Sequence, residues 1–270
     1  MLRYGPGMSS PAFSATRDSE AAEPWAERLA AADRALEGSG TILKLFLAGG
    51  DEALFSDRVV AQVRALLGSL REQTDAESVP EALLGHVHAL AIEAQLTERL
   101  GVEQALDPVV SPLLQRVLAS SDPTASDLGR AVLAAQAEFV QTQRRGVLSS
   151  DQLSDSAAPH RANRVALLDR AIGLLEDGRA ALDLSRAGVA LFLSALAQRS
   201  GLSREAATLA TVPSQAPRLA LALIAAGAGR ETIERVLLAL HPADVVPERW
   251  EAIEPGEATR LLDTSRVPTR

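Results

Sequence analysis

Leu193-Ser194-Ala195-Leu196 leads into Gly201-Leu202-Ser203-Arg204-Glu205, and 26 residues later Leu219-Ala220-Leu221 leads into Gly227-Ala228-Gly229-Arg230-Glu231. The reading of this near-repeat decides the fold. Each unit is an apolar helix, a glycine stop, a short turn and a second helix opening on Ser203 or Gly229. Such a unit cannot bury its apolar face alone, so the pattern predicts stacked helix-turn-helix pairs. No earlier copy at the same period is present.

Composition agrees with an all-α multi-helix bundle. Hydrophobic residues make up 47% of the 270 and aromatics only 3%, so the apolar mass is Leu, Ala and Val rather than the aromatic and β-branched set of a sheet. The net charge of −8 disfavours a general nucleic-acid or anionic-membrane role. Lys44 is the sole lysine, and with so much alanine the arginine bias suggests a GC-rich bacterial genome. The absence of cysteine excludes disulfides, thiolate metal sites and a thiol nucleophile. No stretch reaches 18 uninterrupted apolar residues and the first 22 lack the apolar segment of a secretory signal, so a soluble, cytoplasmic protein is expected.

Along the chain, residues 1–22 and 263–270 read as tails. Residues 23–146 form an N-terminal helical half, 147–158 a serine-rich linker, and 159–262 a C-terminal helical-repeat half. Pro24 to Leu36 predicts the first helix, Ser56 caps a second, and Ser78 with Pro80 opens a third that stops at Gly101. Asp107-Pro108 starts the next, and Ser126-Asp127 a long one ending near Arg144-Arg145-Gly146. Asp183 to Arg199 is apolar over most of its circumference and is expected at the centre of its bundle.

Candidate chemistry is sparse. His86 and His88 are two residues apart on one helix, about 200° around its axis, so they cannot chelate one metal. His88 or His160 could accept a phosphoryl group as in phosphotransfer modules. Yet His88 is followed by Ala89-Leu90-Ala91-Ile92 rather than an acceptor-docking lysine and glycine. His160-Arg161-Ala162-Asn163-Arg164 faintly resembles a histidine-kinase phosphoacceptor box without its lysine, and no nucleotide-binding glycine segment follows. Gly-x-Ser-x-Gly and Gly-Lys-Ser/Thr motifs are absent. Arg144 and Arg145, with Arg161, Arg164 and Arg170, read either as a helix-end complement to the dipole or as a patch for an acidic partner. Ser203-Arg204-Glu205 suggests a DNA-reading helix-turn-helix with Leu193 to Ser200 as its first helix, but the second, Ala206 to Ala210, offers almost nothing to contact bases or phosphates.

Gly85-His86-Val87-His88-Ala89-Leu90-Ala91, then Leu106-Asp107-Pro108-Val109-Val110-Ser111-Pro112-Leu113-Leu114-Gln115, then Ala134 to Arg145, resemble segments of a known family. It is a domain-of-unknown-function family of α-helical, HEAT-like proteins of alphaproteobacteria, sphingomonads in particular. The resemblance covers roughly residues 30–240. It implies a helical-repeat fold and carries no activity or catalytic residues.

The expectation is a non-enzymatic scaffold or regulatory adaptor for a protein partner, with no cofactor and no metal, its apolar stripes serving equally for self-association. Arg204, Glu205, Arg230 and Glu231, recurring at equivalent positions, are the expected partner-binding rim. The alternatives are a phosphotransfer or degenerate histidine-kinase-like module using His88 or His160, and a DNA-binding regulator.

Overall fold

The computed structural model describes residues 24–34, 63, 81–145, 164–175, 177–241 and 250–265. Ten α-helices and no strand, among the described residues, make the fold all-α. They are α1 (24–34), α2 (Glu81–Glu103), α3 (Pro112–Leu118), α4 (Pro123–Arg145), α5 (Arg164–Gly173), α6 (Leu184–Ser200), α7 (Arg204–Leu209), α8 (Ala216–Ala225), α9 (Arg230–Leu240) and α10 (Pro255–Thr264). The linker at 147–158, the N-terminal tail, the helix expected from Ser56 apart from the helical, buried Val63, and the candidate His160 lie outside the described residues. The tail expected from residue 263 does not begin there, because α10 continues through Thr264.

Local chemistry sets where helices begin. Asp107 does not start one. Its carboxylate accepts the N–H groups of Val109 and Val110 at 2.8 and 2.9 Å, closing a turn. The helix starts at Pro112 instead, where Ser111 accepts from the Leu114 N–H at 3.2 Å and Pro112 occupies the first turn. The long helix likewise opens at Pro123 rather than Ser126, because Asp122 accepts from the Thr124 N–H at 2.9 Å.

Helix α6 is the hub, with Val189 to Leu196 buried on every side. Asp183 caps its start through the Ser185 N–H, and Gly201 ends it at φ 75°. Inside it, Gly188 sits at φ 67° and ψ 171° and breaks the helix. A Cβ there would meet the Ser111 Cβ at 3.3 Å, so the kink lies hard against the start of α3.

Helix α6 packs with α7, α8 with α9, and α6 with α8, while α10 covers α8. Helix α2 lies across α6 and α7, and α4 across α5. One core therefore takes Leu96, Leu100 and Leu113 together with Leu168, Phe192 and Leu219. Trp25 and Leu29 of α1 belong to the same core.

Candidate functional site

Where α2, α5, α6 and α7 meet, a glutamate is buried in the apolar run Ala91-Ile92-Glu93-Ala94. Its side chain is 3% exposed and is shared by two arginines. Arg164, from the first turn of α5, reaches it with both ends of its guanidinium, Nη1 to Oε1 at 2.9 Å and Nη2 to Oε2 at 3.0 Å. Arg204, from the first turn of α7, places Nη2 2.9 Å from Oε1. Bidentate geometry of this kind is what a planar guanidinium fork offers a carboxylate.

The surrounding shell satisfies the rest. Arg164 Nη1 also donates to Gln136 Oε1 at 3.0 Å, and Gln136 Nε2 donates to the Pro108 carbonyl at 2.9 Å. The Arg164 guanidinium lies 3.6 Å from the centroid of the Phe139 ring, a cation–π stack that holds its plane. Arg204 Nη1 donates to the Ser194 hydroxyl and, at 3.3 Å, to the Ala190 carbonyl.

Electrostatics follow from that packing. Burial pushes the Glu93 carboxyl up, but the Arg164 and Arg204 charges and their hydrogen bonds prevail and hold it at about 2. Burial lowers Arg204 while Glu93 raises it. Asp169, on α5, is shifted upward by burial, with Arg204 and a hydrogen bond from Ser194 pulling the other way. A carboxylate so held has no proton to give at neutral pH and too little basicity to take one, so Glu93 is no general acid or base. The cluster joins elements instead: one carboxylate binds α2 to α5 and α7.

The expected rim residues separate. Arg204 lies within this cluster, its side chain 14% exposed, and Glu205 is half-buried. Arg230 and Glu231 are exposed on α9. Arg230 Nη2 lies 3.1 Å from Glu251 Oε1, and its guanidinium is 5.9 Å from the Trp250 ring centroid. The equivalence of the two Arg-Glu pairs in sequence is therefore not one of environment, because the arginine that opens α7 faces Glu93 and the one that opens α9 faces solvent. The second-half arginines also divide: Arg164 turns inward to Glu93 rather than joining a surface patch.

His88 is half-buried and burial lowers its pKa. Nothing sequence-based singled out His241. It follows α9, is 3% exposed, and neither ring nitrogen has a hydrogen-bond partner among the described residues. Burial, with the neighbouring Arg99 charge, pushes it down to about 4. Arg99 itself donates to the Leu240 carbonyl at 3.3 Å, which ties α2 to the end of α9. Among the described residues no group of three His, Asp or Glu side chains could hold a metal ion.

Comparison of the chain with family models, with characterised proteins and with solved structures finds no match.

Proposed function

We propose that the protein is a non-enzymatic helical adaptor that binds a protein partner, with the outward face of α9 in the contact surface. The observation that carries this reading is one stripe. Glu231 lies three and four residues before Glu234 and Arg235, which lie four and three before Leu238, all on the exposed side, and Leu238 is 53% exposed. The opposite side buries Ile233, Val236, Leu237 and Leu240. A single exposed leucine is ordinary. Here it ends a row in which Arg235 and Glu231 are already paired, beside an Arg230 that is also engaged. Arg235 reaches Asp183 at 2.8 Å and Glu231 at 3.3 Å, and Arg230 is held between Glu251 and Trp250. Side chains fixed before binding lose less freedom on docking.

The resemblance to HEAT-like proteins supports the same reading, since stacked helix pairs present extended faces to other chains. Half-burial of His88 disfavours phosphotransfer. The inward turn of Arg204, on a helix of six residues, disfavours a DNA-reading role.

The test is affinity capture from the source cells with mass spectrometry, comparing wild type with Leu238→Glu and Arg230→Glu. A partner recovered by wild type and reduced at least tenfold by Leu238→Glu, at unchanged melting temperature, is the expected result. Recovery indifferent to both substitutions would remove α9 from the surface. No specific partner at all would sink the adaptor reading.

A further inference from the structure

We draw no further inference here: the strongest candidate, the cavity beside the break in α6 at Gly188, carries nothing, because each polar side chain that lines it, Asp107, Ser111 and Gln136, already bonds within the fold and nothing in the structure shows what would occupy it.

Discussion

At the scale of single residues, Glu93 and His241 set how the protein responds to acid, and they do so in different ranges. Glu93 is held at about 2 in the folded chain against an ordinary 4.5. Its folded pKa is depressed, so its contribution is complete above the unfolded value and is lost as pH falls from about 4.5 through about 2. His241 is a base held at about 4 against 6.5. The unfolded chain takes up its proton first, so stability falls between about pH 6.5 and 4 by at most about 1.4 kcal/mol per unit. Denaturant melts across pH 4 to 7 should therefore show a slope that His241→Leu flattens, whereas Glu93→Gln should lower stability throughout that range and abolish the further loss in the more acid limb. A slope unaltered by His241→Leu would show the imidazole to be irrelevant to it. Removing the shared carboxylate altogether, Glu93→Ala, leaves two buried guanidiniums facing each other and should cost about 3–5 kcal/mol. The same logic makes Arg204→Glu a poor probe of any docking surface, since it brings two buried carboxylates together and should unfold the chain outright.

At the scale of the helix, the turns make sharper predictions than the helices do. Gly188 and Gly201 both have positive φ, but they are not alike. Gly201 is in the ordinary left-handed region with no described residue within 4 Å of a would-be Cβ, so Gly201→Ala should cost only about 1 kcal/mol. Gly188, at ψ 171°, is in a region that only glycine visits freely, and its Cβ would press on Ser111. Gly188→Ala should lower stability by more, about 1–3 kcal/mol, and equal melting temperatures for the two variants would refute the distinction. These two positions also mark the limit of what the sequence discloses. The stop at Gly201 and the cap at Ser203 are legible because a glycine after an apolar run and a serine before Arg-Glu are local signals. The break at Gly188 is not, because an apolar helix reads the same on either side of it. The Glu93 cluster is half legible. A lone acid between Ile92 and Ala94 in a buried helix announces a partner, but nothing local says that the partners are Arg164 and Arg204. In sequence Arg164 reads as part of a helix-end or surface group and Arg204 as part of a binding rim, and only tertiary packing turns them inward.

At the scale of the whole molecule, the two segments flanking 147–158 share their interior. Leu96 and Leu100 from the first pack in the same core as Phe192 and Leu193 from the second, and Glu93 bonds to both Arg164 and Arg204. A protease site placed within 147–158 should therefore nick the chain without separating it. The fragments should co-elute under native conditions and part in urea, and unfolding of the intact chain should follow one transition with fluorescence and circular dichroism coincident. Two separated transitions would instead mean two independent cores.

The sharing of one glutamate has a further consequence, for the order in which the chain is made. Glu93 precedes its partners by 71 and 111 residues. At about 5–20 residues per second, a ribosome that has just delivered it needs roughly 6–22 s more to supply the second arginine. Until Arg164 follows, α2 carries an acid it can only keep in water, and until Arg204 follows, the shared oxygen lacks its second guanidinium. The first segment cannot complete the seating of α2 while it is being born, and a product cut short before residue 164 keeps that acid unsatisfied, a ready substrate for the quality-control machinery that removes incomplete chains.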